Sequence, residues 1–196
     1  MKFIKVFSFH NFLSLLKTIL SLIKIFFKIN INKEKVIFFY FPVKAYYKNI
    51  IEIKKTLQKK KNLSLFFLFN SSSQEVIQKY KDSYFFDINY LRYIPMSNLV
   101  FDKVSLFISS YVNYVYPKNS KNIYICHDIS DSPMVNINME RKIFLALTKL
   151  HYIFLSSTYV VKYFSNKFKE FGHNLEQIPK LIDTGYLKLD NVIKEL

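Results

Sequence analysis

The residues that could do chemistry most directly lie between Cys126 and Pro133. His127 follows a short apolar run that predicts a buried strand, and an imidazole titrates near neutral pH. Such a histidine could act as a general base on an acceptor hydroxyl, and Asp128 or Asp131 could orient its ring or raise its basicity. A metal site built on these three residues would lack a fourth spaced ligand, so we predict no bound metal. The alternative is a histidine with no catalytic role.

A second candidate segment runs from Leu181 to Asp190 and contains Gly185, one of only two glycines in the chain. A glycine used so sparingly is expected to mark a backbone conformation that requires it, and Lys188 and Asp190 follow closely. The alternative is an ordinary turn. The shortage of glycine also excludes the glycine-rich loops that bind the phosphates of ATP or dinucleotides, so we expect no cofactor.

Hydroxyl groups follow several of the apolar runs. Ser156 and Ser157 come directly after the run that ends at Leu155, and Ser109 and Ser110 end another run. Hydroxyls, backbone amides and helix N-termini together could form a crevice that binds phosphate-like groups. The alternative is that these serines cap helices, as serines commonly do.

From residue 35 onward, short apolar runs alternate with polar helical stretches, which predicts an α/β domain over residues 33–196. The predicted strands cover 35–41, 63–69, 84–88, 106–110, 122–126, 151–155 and 179–183. The predicted helices cover 44–60, 73–81, 139–150 and 158–171, with an irregular segment over 90–103. Strands that are apolar on both sides indicate a Rossmann-like, mostly parallel sheet with helices on both faces. Ligands are then expected beyond the carboxyl ends of the strands.

Residues 1–32 precede this domain and form a different kind of segment. The spacing of their polar and apolar residues predicts an amphipathic helix. The polar stripe comprises Ser14, Lys17, Thr18, Ser21, Lys24 and Lys28, and the opposite face carries Phe9, Phe12, Leu13, Leu16, Ile19, Leu20, Ile23 and Phe27. The apolar stretch between the lysines is too short to cross a bilayer. Two interpretations stay open. The helix lies on an anionic membrane, contacting it through Phe12, Leu16, Phe27, Lys17, Lys24 and Lys28, or it packs on the domain.

The positive charge is concentrated in the same part of the chain. Residues 1–61 hold fourteen lysines and two acidic residues, a net charge of +12 out of +15 for the whole protein. Such an asymmetry indicates contact with an anionic surface. A membrane is favoured over nucleic acid, because the segment has no arginine, the residue that most often contacts bases. The single cysteine, Cys126, excludes an internal disulfide and favours a reducing compartment.

Three segments together resemble the CDP-glycerol glycerophosphotransferases of teichoic acid and capsule synthesis: Tyr124–Asp128, Tyr152–Ser157 and Thr184–Asp190. Enzymes of that family have a GT-B fold of two Rossmann-like domains and associate with the membrane surface. By this resemblance His127 matches the catalytic histidine of the first domain, and Gly185 and Asp190 match the ends of its closing motif. Asp128 stands where the family has glycine, and Leu187-Lys188 where it has Pro-Arg.

The resemblance implies a peripheral transferase on the cytoplasmic face of the cell membrane. It would move a glycerophosphate, polyol phosphate or sugar from a nucleotide-activated donor such as CDP-glycerol to a polymer or lipid-linked acceptor, with His127 as the base. The catalytic residues would be His127 and Asp128, and the residues expected to bind the substrate are Asp131, Ser156, Ser157, Gly185, Lys188 and Asp190. Residues 35–190 would form the acceptor-side half of a GT-B fold, and the donor would bind a second domain. The alternative is a non-enzymatic membrane module or a partner subunit of a split transferase.

Overall fold

The computed structural model describes residues 9–32, 35–41, 51–59, 63–69, 83–85, 94, 97–112, 116–126, 137–174 and 176–185. The helices in these ranges are α1 (Phe9–Asn32), α2 (Ile51–Gln58), α3 (Ser97–Phe101), α4 (Ile137–Leu147) and α5 (Thr158–Glu170). The strands are β1 (Lys35–Phe41), β2 (Leu63–Phe69), β3 (Ser83–Phe85), β4 (Leu106–Ser109), β5 (Lys121–Ile125), β6 (Tyr152–Leu155) and β7 (Lys180–Asp183). The order of strand and helix agrees with the alternation predicted from the sequence.

The seven described strands form one sheet in the order β3-β2-β1-β4-β5-β6-β7. Every pair of neighbours is parallel. The chain first builds outward from β1 to β3, then returns and builds from β4 to β7 on the other side. This is the doubly wound order of Rossmann-like sheets, and the prediction of an α/β fold with a parallel sheet is confirmed.

Strand β1 lies between β2 and β4 and is apolar at every position after Lys35, because both faces of the sheet are covered there. Phe38 and Phe39 are both fully buried and belong to different core clusters, as the alternation of side chains along a strand requires. Phe38 packs with α1 and α3, whereas Phe39 packs with Ile108 and with Leu57 of α2. Helices therefore cover both faces of the sheet.

On the face opposite α2, a further cluster joins α4 and α5 to β5 and β6. Phe144 of α4 contacts the rings of Phe164 and Phe168 of α5, with ring centres 5.3 and 4.9 Å apart. Tyr116 packs against both this cluster and the one under α1. Four of the described helices thus lie on one face of the sheet and α2 lies on the other.

Helix α1 packs on the sheet through one face and leaves the opposite face exposed. Leu22 and Ile25 are buried in the same cluster as Phe38 of β1. Thr18 and Ser21 are only 0% and 7% exposed, so their assignment to a solvent-facing polar stripe is wrong. A serine or threonine hydroxyl in a helix can bond to the backbone of the same helix, which lets these small side chains lie against the sheet. Within the described residues, no helix is both long and apolar enough to cross a membrane.

Two other differences from the sequence prediction concern short elements. Helix α3 lies within the segment expected to be irregular, and its five residues are too few to reveal a helical period. Strand β3 begins one residue earlier than predicted, at Ser83. The helix predicted over 73–81, and residues 44–50 and 86–88 of other predicted elements, lie outside the described residues.

A buried polar cluster joins α4 to α5. Glu140 is 5% exposed and accepts a hydrogen bond of 2.8 Å from the hydroxyl of Tyr163. Lys167 Nζ lies 3.4 Å from the other carboxylate oxygen of Glu140. Burial and then the Glu140 carboxylate raise the pKa of Tyr163 well above its usual value, so its hydroxyl stays protonated and donates.

Replacing Glu140 with alanine is expected to lower the free energy of unfolding by roughly 1.5–3 kcal/mol, because a buried hydrogen bond to a charged group is lost. The matched control is Glu170→Ala, since Glu170 pairs with the same lysine at 2.9 Å but has a side chain 49% exposed. An exposed pair of that kind contributes at most about 1 kcal/mol. Urea denaturation followed by circular dichroism measures the free energy of unfolding of both variants. Equal losses of stability in Glu140→Ala and Glu170→Ala would contradict the buried placement of Glu140.

Candidate functional site

The candidate site lies at the edge of the sheet where β4, β5, β6 and β7 end. These four strands are neighbours and parallel, so the residues that follow them come out on the same edge. Ser110 follows β4, Cys126 follows β5, Ser156 follows β6, and Thr184 follows β7. In doubly wound sheets this edge is where ligands bind.

Two buried hydroxyl oxygens within the described part of the chain have no hydrogen-bond partner, the Oγ atoms of Ser110 and Ser156. The neighbouring Ser109, by contrast, donates to the carbonyl of Tyr111 at 2.6 Å and accepts from its N–H at 3.1 Å. Leaving a buried hydroxyl unpaired costs about 1–3 kcal/mol. Such a group is normally satisfied by a water or a ligand. Both hydroxyls lie at the carboxyl ends of the strands that flank β5, where a water or an oxygen-bearing ligand could pair with them.

The two orphan hydroxyls flank the end of β5. The N–H of Cys126 donates to the carbonyl of Phe154 at 2.9 Å, which extends the pairing of β5 with β6 by one residue. Cys126 itself is buried and is not in a disulfide. His127 is the next residue, and it lies outside the described residues together with Asp128 and Asp131. Cys126 is thus the last described residue at this end of β5, and Ser110 and Ser156 follow the strands on either side.

The start of α5 is fixed by its own cap. Ser157 Oγ accepts a hydrogen bond of 3.3 Å from the N–H of Val160, and its backbone is extended, as at a standard N-cap. Ser157 therefore fills the capping role that the sequence left open as an alternative. Its neighbour Ser156 does not share that role and keeps its unpaired hydroxyl.

A carboxylate ties α5 to the turn after β7. Thr158 Oγ1 donates to one oxygen of Asp183 at 2.6 Å, and the N–H of Gly185 donates to the other at 3.2 Å. These hydrogen bonds, that from Thr158 foremost, hold the pKa of Asp183 below its usual value, so the carboxylate stays charged. Gly185 has φ +72°, a left-handed conformation that its scarcity in the sequence led us to expect. The N–H of Thr184 bonds to Leu155 at 2.9 Å and fixes the same turn.

The structure thus places Ser156, Ser157 and Gly185 at the carboxyl end of the sheet. Lys188 and Asp190 lie outside the described residues. Ser110 was expected among the hydroxyls of a phosphate-binding crevice, whereas the hydrogen bond between Thr158 and Asp183 was not predicted. Their role depends on which strands are neighbours, and no spacing along the chain reveals that.

The remaining histidines with described side chains have structural surroundings. The N–H of Asn122 donates to Nδ1 of His151 at 3.1 Å, at the opposite end of β5. The ring of His173 packs edge-on against Phe168, with centres 5.8 Å apart. Among the residues that the structure describes, no three His, Cys, Asp or Glu side chains come together as a metal site would require.

A second candidate surface is the exposed side of α1. We call it the outer stripe, and its residues are Phe12, Leu13, Leu16, Leu20, Ile23, Phe27 and Ile31, each 36–72% exposed. Most of these residues recur every three or four positions, so they form one continuous row along the helix. Exposed lysines, Lys17, Lys24 and Lys28, run along one side of it. A monomeric protein rarely exposes an apolar patch of this length unless the patch binds something.

The other side of the outer stripe also carries a cation. Lys103 Nζ lies 2.6 Å from the neutral amide oxygen of Asn30 and 5.8 Å from the centre of the Phe26 ring. Lys28 Nζ, on the first side, lies 5.5 Å from the ring of Phe66. The apolar stripe is therefore bordered by positive charge on both sides.

No protein-family model matches the chain, and no curated protein sequence matches it at a significant level. What the chain does must therefore be inferred from its fold, its strand ends and the outer stripe.

Proposed function

We propose that this chain is the acceptor-side domain of a transferase that works on the cytoplasmic surface of the cell membrane. It would help move a glycerophosphate, polyol phosphate or sugar from a nucleotide-activated donor such as CDP-glycerol to a polymer or lipid-linked acceptor. The observation that carries the proposal is the pair of buried, unpaired hydroxyls of Ser110 and Ser156 at the ligand-binding edge of a Rossmann-like sheet. The donor would bind a second domain, as in a GT-B fold.

A polyol phosphate acceptor suits such an edge, because its hydroxyls and phosphate oxygens can pair with serine hydroxyls. In the proposed reaction His127 takes the proton of the acceptor hydroxyl while that oxygen attacks the β-phosphorus of CDP-glycerol. A new oxygen–phosphorus bond forms, the bond from that phosphorus to the bridging oxygen breaks, and CMP leaves with the electron pair. Asp128 would orient the imidazole.

The outer stripe of α1 supports the membrane part of the proposal. Phe12, Leu16 and Phe27, the apolar residues assigned to the membrane from the sequence, are 49%, 41% and 56% exposed. Exposed apolar residues bordered by lysines match a surface of hydrocarbon and anionic headgroups. The other face of α1 is buried on the sheet, so the helix would attach the domain rigidly to that surface.

The test is calorimetric titration of the purified chain with a short oligomer of glycerol phosphate. Saturable binding is expected, and the double variant Ser110→Ala, Ser156→Ala is expected to weaken it roughly tenfold, since two hydrogen bonds are lost. Ser105→Ala is the control, because Ser105 is exposed and precedes β4 at the other end of the sheet. The absence of saturable binding, or equal affinity in the double variant, would contradict the proposal.

A second candidate function is a membrane module without catalytic activity. The outer stripe favours this candidate, and this evidence is independent of the residues that follow the strands. This candidate predicts attachment to anionic vesicles together with no binding of the acceptor oligomer. The titration above therefore separates the two.

A further inference from the structure

An apolar groove of about 290 Å³ runs between α1 and α3. Its wall includes Leu22, Ile23, Phe26 and Phe27 of α1, together with Ile94 and Val100. All of these side chains are hydrocarbon. The described wall of this groove offers no hydrogen-bond partner to a peptide backbone or to a polar metabolite, so the occupant should be apolar.

The groove opens onto the outer stripe. Ile23 and Phe27 belong to both, and they are 39% and 56% exposed, whereas Leu22 and Val100 at the inner wall are 3% and 2% exposed. An apolar ligand can therefore pass from the stripe into the groove without crossing a polar surface. This continuity favours a ligand that comes from the same hydrocarbon layer in which the stripe would lie.

The volume sets the size of that ligand. An apolar protein cavity of about 150 Å³ takes up one benzene molecule, so a groove of about 290 Å³ has room for a chain on the order of ten carbons.

The positive charge at the rim of the groove favours a ligand with an anionic headgroup. Lys103 Nζ lies 5.8 Å from the ring of Phe26, which lines the groove, and its described hydrogen-bond partner is the neutral amide of Asn30. Lys24 lies one residue from Ile23 and is exposed.

We infer that the groove between α1 and α3 binds one hydrocarbon chain of an anionic lipid, whose headgroup lies beside Lys103. This inference rests on the proposed membrane position of α1 and adds to it a single, stoichiometric lipid site. The protein would then hold one lipid molecule by its chain, in addition to lying on the membrane through the outer stripe. In the proposed reaction, such a site suits a lipid-linked acceptor.

The test uses lauroyl lysophosphatidylglycerol, which has one twelve-carbon chain and an anionic headgroup, at concentrations below those at which it forms micelles. Calorimetric titration is expected to show one lipid bound per chain. Ile23→Trp fills the groove from its exposed rim and keeps the outer stripe apolar, so we expect it to weaken lysolipid binding at least tenfold. Its flotation with vesicles of phosphatidylglycerol and phosphatidylcholine should be retained.

The matched control is Leu20→Glu, because Leu20 is 50% exposed on the outer stripe and does not line the groove. It should reduce flotation and leave lysolipid binding unchanged. Lys103→Gln should weaken binding of the lysophosphatidylglycerol severalfold and leave that of lauroyl lysophosphatidylcholine unchanged, because the latter headgroup has no net charge.

These experiments test the lipid site in the groove separately from the membrane position of α1. Full lysolipid binding by Ile23→Trp, or no binding by the unchanged protein, overturns the groove site while flotation can still stand. Loss of lysolipid binding in Ile23→Trp, without flotation of the unchanged protein, supports the groove and contradicts the membrane position. A dimer in light scattering that lysolipid does not dissociate would show that a second copy covers this face, which also overturns the inference.

Discussion

Replacing Phe38 with alanine is expected to lower the free energy of unfolding by about 3–5 kcal/mol, the usual cost of removing a buried phenyl ring. Phe38 is 0% exposed on β1, which has a strand on each side. Its ring meets Phe66 edge-on with centres 5.9 Å apart, and the centre of Phe101 lies 6.5 Å away. The substitution would leave a cavity where α1, α3 and the sheet meet.

Urea denaturation measures this loss, and Phe12→Ala is the control. Phe12 lies on the outer stripe, 49% exposed, so its removal should change the stability by no more than about 0.5 kcal/mol. A domain of this size has a total stability of about 5–15 kcal/mol, and Phe38→Ala therefore risks unfolding it. Phe38→Leu, which leaves a smaller cavity, keeps the comparison measurable. Equal effects at Phe38 and Phe12 would contradict the packing of α1 on the sheet.

The second large effect is expected at His127. If it is the base of the proposed reaction, His127→Ala should lower the rate of transfer from CDP-glycerol by about 10²–10⁴-fold, the usual contribution of a positioned base. Binding of the glycerol phosphate oligomer should change little, because the proton is transferred only in the transition state. The protein is purified from its own cells together with the proteins that copurify with it. The measurement is the transfer of labelled glycerol phosphate from CDP-glycerol to the acceptor.

The control for this prediction is His173→Ala. His173 packs against Phe168 and lies away from the carboxyl ends of the strands, so its loss should leave the rate of transfer within a few-fold of normal. A His127→Ala protein that transfers at the normal rate would exclude His127 as the base. A protein that also fails to bind the oligomer would show that His127 acts in binding, and it would contradict the assigned role.

Much of the sheet could be predicted from the sequence because its central strands are apolar on both faces. In β1, the apolar run from Val36 to Phe41 has no polar interruption, and such a run is typical of a strand that is covered on both faces of a sheet. The helix predicted over 158–171 agrees with α5 except at its last residue. Helix α3 was missed because its five residues carry no periodicity.

The part of the site that sequence reasoning missed depends on three-dimensional neighbours. Asp183 sits at the end of a predicted strand, and nothing in its surroundings along the chain links it to Thr158. Their hydrogen bond of 2.6 Å exists because β7 pairs with β6, from which α5 begins. Ser110 and Ser156 were both expected in the crevice, but only the strand order shows that they follow the two strands on either side of β5.

Helix α1 shows a different limit of prediction from the sequence pattern. Its sequence predicts one polar and one apolar face, but the structure uses three surfaces: a buried face with Thr18 and Ile25, the outer stripe, and a lysine row. A simple two-face pattern cannot separate apolar residues that face a sheet from apolar residues that face outward. The buried serine and threonine were therefore counted with the lysines.

The strand order also determines when the chain can fold. Strand β1 is made early, yet one of its two edges pairs with β4, where Ile37 meets Leu106. Contacts that join such distant positions form late and slow the folding of a domain. Until the ribosome has made residue 109, that edge of β1 has no partner and can pair with another chain. We therefore expect nascent chains of this protein to pass through a stage in which β1, at the centre of the future sheet, has one unpaired edge.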